Sequence, residues 1–164
     1  MIRALIVIAA AIILAGCASG PRFLTYNGPE VTHITVEKAA RRMTLWHHDQ
    51  ALQVYTVQLG GNPIGHKRQR GDRRTPEGTY IIDRRNPGSR FHLSLGISYP
   101  DEDDRAAARE AGLDPGGDIF IHGRGPDFRR ARGDWTDGCI AVTDREIEVI
   151  YAMVRTATPI TITP

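Results

Sequence analysis

Two residues of this chain, Cys139 and His122, carry the side chains that thiol-based acyl transfer requires. Cys139 lies in the run WTDGCI (135–140), and His122 closes the apolar run IFIH (119–122). A thiol becomes a strong nucleophile as the thiolate, which an imidazole within hydrogen-bond reach can generate. Gly138, just before the thiol, permits a tight turn whose backbone N–H groups can face a developing oxyanion. The pattern predicts acyl transfer through a thioester.

The N-terminus predicts an exported lipoprotein. Arg3 precedes an apolar stretch (4–15) that is too short to span a membrane comfortably, and this stretch ends in LAGC (14–17), which resembles a bacterial lipobox. We expect residues 1–16 to be a signal peptide, Cys17 to be lipidated, and residues 17–30 to be a tether. The expected location is periplasmic and lipid-anchored, at the outer membrane because Ala18 follows the cysteine. An ordinary secretory signal or an uncleaved anchor is the alternative.

The remainder, residues 31–164, is long enough for one domain with its own core and too short for two. The 164-residue chain has 21 basic and 19 acidic residues, a formal charge of +2, so no overall field attracts nucleic acid, and we expect no nucleic-acid partner. The chain has two cysteines, and if Cys17 is lipidated, Cys139 carries the one remaining thiol. In an oxidising compartment such a thiol either reacts or is buried, so an inert core cysteine is the alternative reading.

Strands dominate the hydrophobic pattern, and two helices interrupt them. The sequence predicts a short helix at 104–111 closed by Gly112, and Thr143 with Glu146 predicts a capping box for a second helix. An apolar face of period 3.6 then repeats at residues 147, 150, 151 and 154. Adjacent His47 and His48 invite a metal hypothesis, but neighbouring strand residues point to opposite faces, so we expect no metal. The predicted strands are 31–36, 43–46, 52–57, 80–82, 91–95 and 119–121.

Three sequence features resemble the L,D-transpeptidase (YkuD-type) catalytic family. The family pattern of His-Gly, a variable spacer and Ser/Thr-x-Gly-Cys with an apolar residue appears as HG (122–123) and TDGCI (136–140). A Gly-Asp-x-x-Thr-Pro-x-Gly-x-aromatic turn appears as GDRRTPEGTY (71–80), and an extended segment follows at 91–100. The resemblance covers about residues 31–163. It implies a mainly β fold, a β-sandwich of two mixed sheets with one or two packed helices.

The resemblance also implies a reaction and roles for the residues. Cys139 would attack the meso-diaminopimelate carbonyl of a peptidoglycan stem peptide and release D-alanine, with His122 as its base and later its acid. The carbonyl of Gly123 would hold His122, and the N–H groups of Gly138 and Cys139 would bind the oxyanion. The expected partners are donor and acceptor stem peptides and, through the lipid, the membrane; no cofactor is expected.

Two positions depart from the family pattern, in which His commonly stands at Asp137 and Arg or Asn at Ala141. An anion beside the thiol opposes thiolate formation unless it points outward or pairs with a cation, such as Arg124 or a neighbouring arginine of the 124–133 loop. We therefore expect Asp137 to contact substrate or an arginine. The candidate substrate-binding residues are Tyr99, His92, Asp137, Arg124 and Thr136.

Three functions follow from this pattern. The first is an L,D-transpeptidase that forms 3,3 or 1,3 cross-links between stem peptides. The second is a hydrolase, an amidase or carboxypeptidase, that passes the same acyl group to water. The third is an inactive lipoprotein that binds peptidoglycan. Both enzymes require a reactive Cys139, whereas the binding protein does not.

Overall fold

A computed structural model describes residues 23–164, and its main feature is a curled eight-stranded sheet. The expected signal peptide, Cys17 and most of the tether lie outside the described residues, whose tether segment (23–30) contains no helix or strand. Within residues 23–164 no helix has the length and apolarity needed to cross a membrane. The elements are β1 (His33–Glu37), β2 (Arg42–His47), β3 (Gln50–Thr56), β4 (Gly78–Asn86), β5 (Ser94–Ile97), α1 (Glu102–Ala111), β6 (Phe120–His122), β7 (Ile140–Ala141), α2 (Asp144–Met153) and β8 (Pro159–Thr163).

The sheet is mixed and has the strand order β3-β2-β1-β8-β4-β5-β6-β7. The β1–β8 and β6–β7 pairs are parallel and the others are antiparallel. The first part of β4 pairs with β8 and its second part with β5, so this strand joins the two halves of the sheet. Buried side chains from both halves form one core. The mainly β class with two helices is confirmed, and the two mixed sheets are joined through β4.

Helix α2 is built as the sequence indicates. The Thr143 side chain accepts from the N–H of Glu146, whose carboxylate accepts from the N–H of Thr143, so two otherwise unpaired helix-end donors are satisfied. Ile147, Ile150 and Val154 are fully buried on the predicted face, and α2 packs on β5 and β6. Each such side chain contributes about 1.5–3 kcal/mol through removal from water. This packing fixes the helix directly after the strand that follows the cysteine.

The predicted strand at 91–95 is wrong for its first half. His92 has a φ of 80° and its N–H donates to the carbonyl of Ser89, so this part of the chain turns, and β5 begins only at Ser94. The predicted helix at 104–111 begins two residues earlier, at Glu102, because Asp101 caps it. The turn at 91–92 directs the ring of Phe91 toward the site described next.

Candidate active site

The pairing of β6 with β7 brings the histidine and the cysteine together. These strands run parallel with Ile121 beside Ile140 and His122 beside Ala141. Paired residues share a face of the sheet, and so do alternate residues of one strand. Cys139 therefore lies on the face of His122, whereas Ile121 and Ile140 point into the core. A strand spacing of about 4.8 Å and a rise of about 3.3 Å per residue put the two Cα atoms about 8 Å apart.

The ring of His122 is buried and held in one tautomer. Its Nδ1 lies 2.5 Å from the carbonyl oxygen of Gly123, and since a carbonyl only accepts, Nδ1 carries the proton and Nε2 presents a lone pair. Phe91 stacks on the ring at 4.3 Å between centroids, and Trp135 approaches it edge-on at 5.8 Å. Burial lowers the pKa of His122, and the bond to Gly123 opposes this only in part. The residue is therefore a neutral base at pH 7.

The surroundings of Cys139 favour its protonated thiol over the thiolate. Its Sγ donates to the carbonyl oxygen of Asp118 at 3.5 Å rather than to the His122 ring. The residue is partly exposed, yet burial of the sulfur is the largest cause that raises its pKa to about 11. The carboxylates of Asp137 and Asp118 act in the same direction, while Lys67 and a backbone hydrogen bond from Phe120 act against them. Both shifts favour a thiol and a neutral imidazole over a thiolate–imidazolium pair.

The turn before the cysteine is held by Thr136 and needs a glycine. Thr136 is buried; its hydroxyl donates to the carbonyl of Cys139 at 2.7 Å and accepts from the N–H of Gly138 at 3.2 Å. Gly138 has a φ of 125°, and a Cβ there would lie 2.5 Å from the carbonyl oxygen of Arg74. Two expectations change as a result. Thr136 supports the turn and does not face substrate, and the N–H of Gly138, expected to bind the oxyanion, is already paired.

The second motif, 71–80, forms the floor beneath this turn. Asp72 accepts from the Nζ of Lys67 and from the backbone N–H groups of residues 68, 69 and 74. Burial raises the pKa of this carboxyl, but these hydrogen bonds outweigh burial and lower it to about 2. Thr75 accepts from the N–H of Gly60 at 3.1 Å, and a Cβ on Gly60 would lie 3.0 Å from the Cα of Gly138. Both sequence motifs therefore meet at one place in the fold.

The structure corrects the expectation for Tyr99 and gives His92 a structural partner. Tyr99 is 5 % exposed and its hydroxyl donates to the carbonyl of Pro115 at 3.0 Å, so it is a core residue and not a substrate contact. The Nε2 of His92 lies 2.8 Å from a carboxylate oxygen of Glu148 on α2. This contact ties the 91–92 turn to the helix. The expectation that His92 contacts substrate stays a prediction.

The side chain of Asp137 points outward and also lies near an arginine, the two arrangements that would limit its effect on the thiol. Its side chain is 93 % exposed and its Oδ1 lies 3.6 Å from the Nε of Arg73. The partner is therefore an arginine of the 71–80 motif and not Arg124 or another arginine of the 124–133 loop. A surface pair of this length is worth little, so the carboxylate stays available to a bound substrate beside the thiol.

Arg124 begins a loop that opens on a basic cavity. Its backbone N–H and that of Gly125 donate to Oδ1 of Asp144, at 2.7 and 2.9 Å. A cavity of about 700 Å³ lies between this loop and Gln58. Within residues 23–164 no group of three or more His, Cys, Asp or Glu side chains could hold a metal ion, and His47 and His48 only pack edge-to-face on each other.

Sequence reasoning missed the aromatic wall around His122. Phe91, Phe128 and Trp135 contact one another, and Trp135 and Phe128 stack with centroids 4.5 Å apart. The Nε1 of Trp135 donates to Oε1 of Gln58 at 3.0 Å. Trp135 begins the run that contains Cys139, and this position was the available signal in the sequence. Phe91 and Phe128 come from other segments and gave no signal. Together these rings exclude water from one side of His122.

The profile of the YkuD family, the L,D-transpeptidase catalytic domain, matches residues 31–162. The chain belongs to this family. The match covers β1 to β8 almost completely and contains both His122 and Cys139.

Similar proteins agree with this assignment. The chain is 28% identical over 131 residues to YafK of Escherichia coli (strain K12), a protein named as an L,D-transpeptidase. That alignment covers 76% of this chain and 48% of YafK, so the chain spans about half the length of this relative.

Solved structures share the fold. The helical cell shape determining protein Pgp2 from Campylobacter jejuni matches with a TM-score of 0.65 and 23% identity, over 88% of this chain and 51% of its own. Bd1075 from Bdellovibrio bacteriovorus gives 0.60 and 25%, over 82% and 48%. An L,D-transpeptidase from Mycobacterium smegmatis gives 0.55 and 15%, over 82% and 59%.

Proposed function

We propose that this protein is a peptidoglycan L,D-transpeptidase that works through a thioester on Cys139. The observation that supports this most strongly is the placement of His122 on the face of Cys139, with Nδ1 committed to the Gly123 carbonyl and Nε2 left as an acceptor. Membership of the L,D-transpeptidase family supplies the substrate class, the stem peptides of peptidoglycan.

The reaction begins from the neutral pair. The thiol leaves the carbonyl of Asp118 and turns to Nε2 of His122, which accepts the proton as Sγ bonds to the diaminopimelate carbonyl carbon. The electron pair of the carbonyl moves to its oxygen and gives a tetrahedral oxyanion. When the oxyanion collapses, the C–N bond breaks, and His122 returns the proton to the amine of D-alanine.

In the second half of the reaction the same bond changes and proton transfers occur in reverse order, with a different amine. An amine of another stem peptide loses a proton to His122 and attacks the thioester carbon, and Cys139 leaves as a thiolate that regains the proton. The product is a 3,3 or a 1,3 cross-link, depending on which amine attacks. Asp137 lies exposed beside the thiol and can attract a cationic group of the substrate.

We also propose that the domain acts in the periplasm, anchored to the outer membrane by lipid on Cys17. Metabolic labelling with a fatty acid, compared between the natural chain and Cys17→Ser, tests this, and equal labelling of the two would contradict it. Pgp2 is named a helical cell shape determining protein. A role of this chain in cell shape follows as an extension of the proposal.

Mass spectrometry of muropeptides tests the reaction. Purified protein is incubated with disaccharide-tetrapeptide, beside Cys139→Ala and His122→Gln. Cross-linked dimers that have lost D-alanine, absent with both variants, support transpeptidation, and fragmentation identifies the joined centres. Shortened monomers without dimers would instead indicate a hydrolase, and identical muropeptide profiles in all samples would contradict both enzymes.

A further inference from the structure

A row of paired residues crosses the face of the sheet that carries Cys139. Arg84 of β4 pairs with Gly96 of β5, and Gly96 pairs with Phe120 of β6. The register of β6 and β7 puts Phe120 beside Cys139, and the backbone N–H of Phe120 donates to the sulfur. Paired residues share a face of a sheet. Arg84 therefore belongs to the same face as the thiol, three strands away.

A β-bulge directs the side chain of Arg84 onto this face. The pairing of β4 with β5 shifts its register between Ile82 and Arg84, where Asp83 is the extra residue. The next residue, Arg85, lies on the opposite face, where its guanidinium carbon is 3.9 Å from the ring centre of Tyr151 on α2. The two neighbouring arginines thus have different surroundings, and only Arg84 lies on the side of Cys139.

Gly96 leaves room for the Arg84 side chain to lie flat on the sheet. A Cβ on Gly96 would lie 2.5 Å from the Cγ of Arg84 and 2.4 Å from a carboxylate oxygen of Asp83. The Arg84 side chain therefore crosses over β5, and its guanidinium carbon lies 4.5 Å from the centre of the Phe120 ring. This cation–π contact holds the positive charge over the strand next to Cys139, and neighbouring strands are only about 4.8 Å apart.

Two carboxylates accompany this guanidinium. Nη1 of Arg84 lies 2.9 Å from Oδ2 of Asp83, and Nη2 lies 2.9 Å from Oδ1 of Asp118. The Asp118 side chain is 87 % exposed, so its ion pair with Arg84 is weak and can exchange partners. Arg70 also lies near Asp118, but it is paired with Asp114 at 2.7 Å. Since the backbone carbonyl of Asp118 accepts from the thiol, an exchangeable ion pair lies directly beside the nucleophile.

Diaminopimelate carries a group with matching charges at a matching distance. Its far carbon, the D-centre, bears a carboxylate and an ammonium, and three methylenes join this carbon to the L-centre. In an extended side chain the two centres lie about 5 Å apart, close to the spacing of neighbouring strands. A donor whose L-centre carbonyl lies at Cys139 can therefore place its methylenes along half-buried Phe120 and its D-centre at Arg84 and Asp118.

We propose that Arg84 and Asp118 bind the D-centre of the donor diaminopimelate, Arg84 through its carboxylate and Asp118 through its ammonium. This inference rests on the proposed function and makes Arg84 a specificity-determining residue. On binding, the two side chains exchange each other for the two charges of the ligand, while Asp83 stays on Arg84. L-Lysine in the same place of a stem peptide has the ammonium without the carboxylate. It can take Asp118 from Arg84 but gives Arg84 nothing in return.

The test compares two ligands that differ only in this carboxylate. Calorimetry measures the binding of the tetrapeptide with meso-diaminopimelate, and of the same peptide with L-lysine in its place, to Cys139→Ala, which cannot form the thioester. We expect the diaminopimelate peptide to bind about fivefold more tightly, the limit for a partly exposed charge pair. In Arg84→Gln on the same background this ratio should fall to one or below, because Asp83 and Asp118 then attract the lysine ammonium without an opposing cation.

A matched control and a variant of opposite sign accompany Arg84→Gln. Arg42 also forms an exposed cross-strand ion pair, with Glu37 of β1, so Arg42→Gln should keep the ratio. Asp118→Asn releases Arg84 for the ligand carboxylate and weakens the hold on the ammonium that both peptides share, so the ratio should rise. Asparagine tolerates the φ of 56° at this position.

Several outcomes would overturn the proposal. They are equal binding of the two peptides to Cys139→Ala, a ratio that stays unchanged in Arg84→Gln with a normal thermal midpoint, and shifts of the same sign in Arg84→Gln and Asp118→Asn. Thioester formation on Cys139 of the natural chain needs no acceptor and should show the same preference. Thioesters that form equally fast from both peptides would assign the contact to the acceptor and overturn the donor site.

The calorimetry also separates this proposal from the proposed function. It needs no turnover, so a preference that depends on Arg84 supports the D-centre site even if the natural chain forms a thioester with neither peptide. That result would refute the proposed function alone.

Discussion

Replacing Gly138 with alanine should uncouple the nucleophile from its support. The backbone at Gly138 has a φ of 125°, and an added Cβ would lie 2.5 Å from the carbonyl oxygen of Arg74 and 3.2 Å from the Cδ1 of Ile119. The first contact cannot be relieved by rotating a side chain, since the obstacle is backbone in the turn that Asp72 ties together. Either that turn or the turn carrying the cysteine must move.

The size of the effect follows from these two terms. A non-glycine residue in such a backbone region costs about 1–3 kcal/mol. A displacement of about 1 Å at a reacting group costs about a hundredfold in rate. We therefore expect Gly138→Ala to lose about 1–3 kcal/mol of unfolding free energy and about a hundredfold in turnover of the tetrapeptide.

Gly112→Ala separates the two terms. Gly112 closes α1 with a φ of 67°, and a Cβ there would meet nothing within 4 Å. It should lose less stability than Gly138→Ala, because it has the unfavourable backbone conformation without the clash, and it should keep turnover within about twofold. Urea unfolding and tetrapeptide kinetics of both variants provide the measurements. Two results would refute the proposed role of Gly138 in positioning Cys139. Gly138→Ala could keep the turnover of the natural chain, or Gly138→Ala and Gly112→Ala could lose turnover equally.

Three further predictions concern the charge and the anchoring of the site. Because burial lowers the pKa of His122, kcat/KM should fall in acid with a midpoint below the ordinary value of 6.5, and a midpoint above it would contradict a buried neutral base. Asp137→Asn should lower the pKa of Cys139, because it removes a carboxylate that raises it. Alkylation of Cys139 by iodoacetamide at low salt should become faster by up to about fivefold, the limit for an exposed charge pair. A gain in rate that persists in molar salt would argue against this electrostatic cause. Asp134→Ala should lower the unfolding free energy by about 1–3 kcal/mol in urea titrations, since it leaves Arg41 and a backbone N–H without their acceptor, and no loss would show that the end of the 124–133 loop is fixed otherwise.

The parts of the molecule that could be predicted are those with local signals. The capping box at Thr143 and the apolar period of α2 lie within twelve consecutive residues, and both are confirmed. The turn at Gly138 could be predicted because glycine readily adopts the positive φ that such a turn requires. The motifs that carry the resemblance also predicted the family and the mainly β fold correctly.

The features that could not be predicted depend on contacts between segments that are distant in the sequence. Strand β8 is absent from the predicted strands although its sequence PITIT alternates, and its partner β1 lies more than 120 residues away, at the other end of the described chain. Tyr99 was expected in the cleft, but Pro115 and the core enclose it. The pairing of Asp137 with Arg73 depends on the 71–80 motif lying beneath the turn before Cys139, and no spacing in the sequence reveals that.

Detection of the acyl-enzyme itself tests the thioester on Cys139 most directly. The protein is mixed with disaccharide-tetrapeptide, quenched in acid after short times, digested and mapped by mass spectrometry. We expect the donor acyl group, without its D-alanine, to be attached to the peptide that contains Cys139. The adduct should be absent from Cys139→Ala and form far more slowly in His122→Gln. Cross-linking without any adduct on Cys139, or an adduct on another residue, would contradict it.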